Sequence, residues 1–133
     1  MLCNTPCFLN SLAYKSVILN KDLEIMFINN DWQKYILKSE KNLANNSVGL
    51  NYIQVIKRLN KSASEYFSDI ECGIKDVILN RKDKFELEYP DYSFEKNAWF
   101  KLIVTPFAEG VLIMHENITD RKNAENPLKT KEE

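Results

Sequence analysis

Two apolar segments near the end of the chain, WFKLIVTP (residues 99–106) and GVLIMHENI (110–118), are joined by the short connection FAEG (107–110). A connection this short that contains a glycine is typical of a β-hairpin. Upstream, FELEYP (85–90) alternates apolar residues with two glutamates, which predicts a strand with one apolar and one charged face. Glu86 and Glu88 then share the solvent face, as charges near a sheet edge rather than a catalytic pair. The second half of the chain therefore predicts three antiparallel strands.

A second hairpin is predicted by KSVILNKDLEIMFINN (residues 15–30), in which a polar Asn-Lys-Asp loop separates two apolar stretches. Asn29 or Asn30 can cap a following helix, because Trp32, Tyr35 and Ile36 recur at the spacing of one helical face. Residues 52–59 predict another helix with one apolar face. A short helix is expected over residues 8–14.

The clearest helical pattern covers residues 62–80. Ser62 and Glu65 fit a capping box, S-x-x-E, at its start. Cys72 falls opposite the apolar side of this helix, so we expect it to face solvent. The apolar stripe at the 3.6-residue period consists of Ala63, Tyr66, Phe67, Ile70, Ile74, Val77 and Ile78.

This order of elements predicts an α+β fold, a five-stranded antiparallel sheet with helices inserted between strands 2 and 3 that cover one face. We expect an N-terminal segment over residues 1–14, a domain over 15–118, and a C-terminal helix with its tail over 119–133. The last strand runs into that helix without a bend rich in Gly, Pro or Asx, and Asn117 is the one turn-forming residue between them.

Composition restricts the class of function. The 133 residues carry a formal charge of −1 with scattered Lys and Arg, so there is no basic stripe of the kind that nucleic acid requires. No apolar run approaches the length of a membrane span, and the first residues lack the pattern of a signal peptide. We therefore expect a cytoplasmic protein whose three cysteines are free thiols.

Four segments together resemble a PAS domain, the sensor module of many bacterial signalling proteins. These are ILNKDLEIMFINNDW (18–32), FELEYP (85–90), AWFKLIVTPF (98–107) and GVLIMHENITDRKNAE (110–125). The resemblance covers residues 8–125. It implies a cytoplasmic sensory domain, a homodimer, and a signal that passes through the C-terminal helix to an effector such as a kinase or cyclase.

The exit motif that the resemblance implies consists of Asn117, Ile118, Thr119, Asp120 and Arg121, where the family usually reads Asp-Ile-Thr-Glu-Arg-Lys. Asn117 departs from the usual Asp, so a charge that could pair with a nearby Arg is missing. We expect Thr119 to be the N-cap, and Asp120 to suit the positive end of the helix dipole. Pro127 is expected to end the helix near Asn126.

Ligands of PAS domains usually lie between the inner face of the sheet and the inserted helices. The residues expected there are Tyr52, Tyr66, Phe67, Leu87, Tyr89, Phe100, Leu102, Ile113 and His115. His115 and Tyr89 matter most, because a buried polar group needs a partner. His115 is either a core histidine bonded to backbone or a tyrosine, or a ligand-contacting or pH-sensitive group. Asn117 is also expected to face inward.

Known PAS cofactors were tested against the sequence. Haem-binding relatives use a His on a central helix, and the single His of this chain lies in the last strand. Flavin-adduct relatives carry an Asn-Cys-Arg motif, which is absent. The sequence therefore argues against haem and covalent flavin and leaves a non-covalent small molecule or no ligand. In the second case the chain is a ligand-free module for dimerisation or docking.

An enzyme is not indicated, because phosphate-binding glycine motifs and nucleophile motifs are absent. The outer sheet face carries an apolar patch that the N-terminal helix or a dimer partner could cover, and we expect both together, with helix cover and dimerisation nearby. The residues assigned to this face and its cover are Phe8, Leu12, Trp99, Ile103, Leu112 and Met114.

Overall fold

The computed structural model describes residues 14–39, 47–92 and 96–125. Its elements, in chain order, are β1 (Lys15–Leu19), β2 (Ile25–Ile28), α1 (Asn30–Ser39), α2 (Tyr52–Leu59), a 3₁₀ helix (Lys61–Tyr66), α3 (Phe67–Ile78), β3 (Phe85–Pro90), β4 (Trp99–Phe107), β5 (Gly110–Asn117) and α4 (Thr119–Glu125). The predicted helix over residues 8–14 lies outside the described residues except for Tyr14, and so do Phe8 and Leu12.

The five strands form one antiparallel sheet in the order β2-β1-β5-β4-β3. Both predicted hairpins are confirmed, and the helices lie between β2 and β3 as expected, so the α+β prediction is correct. Gly110 opens β5 at a point of close approach, because a Cβ there would overlap the backbone of Leu19. The register places Lys15 of β1 beside His115 of β5, and His115 beside Leu102 of β4.

The inner face of the sheet packs against α1, α2 and α3 around a single apolar core. Helix α1 is held at its start by Asn29, as predicted, because Asn29 Oδ1 accepts from the backbone N–H of Trp32 at 3.0 Å. The same oxygen accepts from the N–H of Ser16 at 3.0 Å, so one side chain ties α1 to β1. Trp32 and Ile36 are buried, in agreement with the helical spacing.

The prediction of one helix over residues 62–80 was wrong in its first turn. Residues 61–66 form a 3₁₀ helix with a kink at Ala63 (φ −100°, ψ 20°), and α3 begins only at Phe67 without a side-chain cap. Ser62 does not form a capping box, because its Oγ accepts from the backbone N–H of Tyr92 at 3.2 Å. A contact between residues thirty positions apart thus replaces the local cap.

The outer face of the sheet is divided between apolar and charged residues. Ile18 and Leu112 are buried there and pack with Phe107 and Met114. Glu86 of β3 forms ion pairs with Lys101 of β4 at 3.3 Å and with Lys84, just before β3, at 3.2 Å. None of the helices in the described part of the chain is long and apolar enough to cross a membrane.

Candidate functional site

A small cavity lies between the inner sheet face and the helices. Its volume is about 10 Å³, which is room for roughly one water molecule. Its lining combines aromatic rings with an unusual number of polar groups for a core. The lining residues are Lys15, Trp32, Tyr35, Tyr52, Ile56, Asn60, Ala63, Phe67, Ile70, Tyr89, Asp91, Leu102 and His115.

His115 is held at both ring nitrogens. Its Nδ1 lies 2.9 Å from the backbone carbonyl oxygen of Lys15, and its Nε2 lies 2.7 Å from the Tyr52 hydroxyl. A carbonyl oxygen only accepts, so Nδ1 carries the hydrogen and Nε2 accepts from the Tyr52 O–H. Desolvation, helped by the Lys15 charge, lowers the pKa of His115 to about 3. His115 is therefore a neutral imidazole of one defined tautomer near pH 7.

Tyr52 is placed for this bond by its backbone, whose N–H donates to the carbonyl of Leu23 at 2.8 Å. The N-terminal end of α2 is capped by Asn51, whose Oδ1 accepts from the N–H of Gln54 at 3.1 Å. Burial raises the pKa of Tyr52 well above its ordinary value, so the hydroxyl keeps its hydrogen. The Tyr52–His115 bond is thus a neutral, fixed link between α2 and β5.

Lys15 brings a cation to the same cavity. Its Nζ lies 3.6 Å from the ring centroid of Tyr35 and 4.8 Å from that of Phe100, in cation–π geometry. Desolvation lowers the pKa of Lys15 to about 8, against the opposing attraction of Asp91. Asp91 in turn accepts from the Tyr35 hydroxyl at 3.2 Å.

Asn60, at the end of α2, is 4% exposed and lines the cavity. Its Nδ2 donates to the carbonyl of Pro90 at 3.1 Å. Its Oδ1 is buried and has no hydrogen-bond partner within the structure described here. An unpaired buried acceptor is costly, so this oxygen marks a place where a donor is missing.

The cavity brings together five of the residues assigned to it from sequence: Tyr52, Phe67, Tyr89, Leu102 and His115. The other four, Tyr66, Leu87, Phe100 and Ile113, pack in or against the core but do not line the cavity.

Sequence reasoning missed five polar or aromatic lining residues: Lys15, Trp32, Tyr35, Asn60 and Asp91. The apolar spacing of α1 identified Trp32 and Tyr35 as buried but not as part of a site. No local pattern indicates the position of Lys15, because it depends on the β1–β5 register.

A second cluster lies where β5 runs into α4. Asn117 is exposed rather than inward-facing, and its Oδ1 accepts from the N–H of Thr119 at 3.0 Å. The N-cap prediction for Thr119 was wrong, since Thr119 is already the first residue of α4. Its hydroxyl accepts instead from the backbone N–H of Trp99 at 3.0 Å. The start of α4 is therefore bonded to both β5 and β4.

Glu88 of β3 holds the other side of α4. It pairs with Arg121, and its Oε1 lies 2.9 Å from Lys122 Nζ, which also lies 4.6 Å from the Trp99 ring centroid. Hydrogen bonds from Lys122 and Arg121 lower the pKa of Glu88. Glu88 thus supplies a carboxylate to the Arg of the exit motif, although it does so from β3 and not from position 117. We call Glu88, Trp99, Thr119, Arg121 and Lys122 the exit junction.

No group of three or more His, Cys, Asp or Glu residues suited to a metal ion occurs among the residues described. Cys72 is exposed, as its place on the helix predicted.

Comparison with solved structures shows which known domains share this fold. The PAS domain of BvgS from Bordetella pertussis matches with a TM-score of 0.64 at 10% identity, over 98% of this chain and 96% of that domain. The fold is that of a PAS domain. The PAS domain of nitrogen regulation protein NR(II) from Vibrio parahaemolyticus also matches, with a TM-score of 0.53 at 16% identity, over 85% of this chain and 96% of that one.

The PAS fold is also shared with the sensor region of a sensor histidine kinase, at a TM-score of 0.60 and 15% identity. That match covers 81% of this chain and 40% of the sensor region, so the chain spans well under half of it. No protein-family model and no curated protein sequence matches the chain.

Proposed function

We propose that this PAS domain is a sensory module of a signalling protein, in which a small molecule binds in the cavity and α4 passes the change to an effector. One observation supports this most directly. Strand β5 carries His115 in the cavity wall and, two residues later, ends at Asn117, which bonds the first residue of α4. A shift of β5 at the cavity is therefore felt where α4 is held.

The composition of the cavity wall supports ligand binding. A core does not need charged and polar groups such as the half-buried Lys15 and the buried Asp91, His115 and Asn60, because each group loses hydration that its bonds only partly replace. Binding sites combine such convergent polar groups with aromatic walls. The cavity has this composition, although its present volume suits about one water.

A ligand larger than water therefore needs a wall to move. Ala63, at the kink of the 3₁₀ helix, and Phe67, at the start of α3, form one wall of the cavity. Phe67 is only partly buried, so its displacement is less costly than that of Trp32, which is 1% exposed. Because the ligand-bound form must differ from the closed one, binding shifts the population between two conformations.

The two tryptophans offer a direct experiment, because Trp32 lines the cavity and Trp99 lies in the exit junction. Small metabolites are first screened by thermal shift, since a ligand of the native state raises its stability. Each stabilising compound is then titrated into Trp32→Phe, whose only tryptophan is Trp99, and into Trp99→Phe, whose only tryptophan is Trp32.

The proposal predicts that each variant changes its fluorescence over the ligand concentrations that raise its own melting temperature, because Trp32→Phe alters the cavity wall and with it the affinity. A change in Trp99→Phe alone, with a ligand that also raises the melting temperature of Trp32→Phe, would mean a binding site without relay, which contradicts the proposal.

A second function, a ligand-free module for dimerisation or docking, is favoured by one observation. The core is nearly full, and Tyr52 and His115 satisfy each other. Under this alternative the metabolite screen finds nothing, and association depends on the outer apolar patch around Ile18 and Leu112. Ile103→Asp on that face should then dissociate the dimer, as measured by light scattering, while the monomer stays folded. An unchanged dimer would exclude this face as the dimer interface.

A further inference from the structure

The orientation of the Asn60 amide follows from its neighbour. The Pro90 carbonyl can only accept, so the amide atom 3.1 Å away must be the NH₂ group. The unpaired atom is therefore the oxygen and not the nitrogen. Asn60 Oδ1 needs a donor, and no side chain in the described structure supplies one.

The rest of the hydrogen-bond inventory gives the same result. The Tyr52 hydroxyl donates its hydrogen to His115 Nε2, and His115 Nδ1–H donates to the backbone carbonyl of Lys15. The Tyr35 hydrogen is directed to Asp91. These three groups have no hydrogen left for Asn60. The Lys15 ammonium and the Tyr89 hydroxyl also line the cavity, but neither bonds Asn60 Oδ1 in the described structure, so the place of its donor is open to whatever occupies the cavity.

The charge at Lys15 restricts the occupant further. The Lys15 ammonium and the Asp91 carboxylate line the same cavity and offset each other, so neither a cationic nor an anionic ligand gains a net opposite charge for the hydration it loses. An anionic carboxylate has no hydrogen for Asn60 Oδ1 and would place two acceptors together. A neutral amide or alcohol can donate to Asn60 and accept from Lys15.

We propose that Asn60 Oδ1 is the specificity-determining acceptor of the cavity, and that it selects a compact neutral molecule with an N–H or O–H donor. A single water takes this place when no ligand is bound. The proposal rests on the proposed sensory function and names the chemical class of its ligand.

Four molecules of nearly the same shape test the class: acetamide (neutral donor), acetone (no donor), acetate (anion) and acetamidinium (cation). Saturable increases in melting temperature give an apparent Kd for each. We expect acetamide to bind at least about tenfold more tightly than acetone, because the loss of one buried hydrogen bond corresponds to roughly that factor. Acetate and acetamidinium should be weaker than acetamide.

Asn60→Leu removes the acceptor at similar volume, and Asn123→Leu on the exposed side of α4 is the matched control. The preference for acetamide over acetone should disappear in Asn60→Leu and persist in Asn123→Leu. If Asn60→Leu does not fold, a high-resolution crystal structure of the native protein replaces it. An ordered water within hydrogen-bond distance of Asn60 Oδ1 supports the inference, and an empty cavity overturns it.

The outcomes separate the two proposals. Equal binding of acetone and acetamide, tighter binding of acetate, or saturable binding by none of the four overturns the neutral-donor class. A metabolite that still moves Trp99 emission in that case leaves the sensory function standing. A failed metabolite screen with no saturable binding in the four-molecule series overturns both.

Discussion

The cavity and the exit junction both gather charged side chains, and the two clusters treat charge in opposite ways. In the cavity, desolvation is the largest cause of the shifts, and the pKa values of Lys15 and His115 fall to about 8 and about 3. In the exit junction, hydrogen bonds are the largest cause, so the pKa of Glu88 falls and that of Arg121 rises. One cluster disfavours charge, and the other stabilises it.

The difference is a matter of solvent. Water screens the ion pairs of the exit junction, so each contributes little, and the helix they hold can be released at small cost. Buried polar groups are costly unless they are satisfied, and the cavity holds both completed bonds, such as that of Tyr52 to His115, and one buried acceptor without a donor, Asn60 Oδ1. Under the proposed function, a polar cavity and a helix held partly by solvent-screened ion pairs suit a sensor.

The largest expected effect is acid destabilisation through His115. Its folded pKa of about 3 lies below the ordinary 6.5, so the unfolded chain takes up the proton first. Stability is complete above pH 6.5 and falls as the pH drops towards 3, by at most about 5 kcal/mol. Urea unfolding as a function of pH should show this fall in native protein and not in His115→Gln.

Glu88→Gln is the matched control for that titration. In the native protein, the stability that Glu88 contributes should be lost only as the pH falls below the ordinary carboxyl value of 4.5, because the folded pKa of Glu88 is depressed. Glu88→Gln should therefore keep the fall in stability that His115 causes at higher pH. If His115→Gln and Glu88→Gln both remove the dependence of stability on pH over the same range, the two clusters do not differ in the way described.

Lys15 should have the next largest effect on stability, at alkaline pH instead of acid pH. Its folded pKa of about 8 lies below the ordinary 10.5, so stability rises as the pH increases from 8. Between pH 8 and 9.5 the gain is at most about 2 kcal/mol. Lys15→Met should show no such rise; a native protein with flat stability over this range would place the ammonium in water.

Removal of one hydrogen bond gives a smaller change. Tyr52→Phe leaves His115 Nε2 buried without a donor, which should cost about 1–3 kcal/mol in denaturant unfolding. Tyr66→Phe is the control, because Tyr66 is only partly buried and should change stability by less than about 0.5 kcal/mol. Equal costs would show that the Tyr52–His115 bond is not special.

The smallest effect is expected at the exit junction. Glu88→Gln should lower stability by less than about 1 kcal/mol near pH 7, and less still in high salt. Amide exchange in α4 should nevertheless become faster, because the helix loses its contact with β3. A loss of several kcal/mol would mean that the junction is part of the core.

Much of the fold was predictable because its signals are local. The hairpins, the alternation in β3 and the helical spacing of Trp32, Tyr35 and Ile36 are local patterns of apolar residues. Predictions failed where a distant partner competes for a local group. Ser62 bonds Tyr92 instead of capping a helix, and Thr119 bonds Trp99 instead of capping α4.

The candidate site was less predictable for a related reason. Inward-facing positions on β5 and α2 identified His115 and Tyr52 from alternation and helical spacing. Lys15 enters the cavity because β1 pairs with β5, and Asn60 because α2 ends beside Pro90. Strand register and helix ends set these positions, and neither can be determined from a single sequence.

The central claim is that a change inside the cavity alters how α4 is held. Ile70 and Ile74 give a matched pair one helical turn apart on α3, both buried, of which only Ile70 lines the cavity. Each change to Phe should overpack the core by about 1–3 kcal/mol. Amide exchange of residues 119–125 is then measured in both variants and compared with their global stabilities.

The account predicts that Ile70→Phe, which fills the cavity, changes exchange in α4 beyond the effect of its global stability, while Ile74→Phe does not. If α4 responds equally in the two variants, or in neither, the cavity and the exit junction are not coupled.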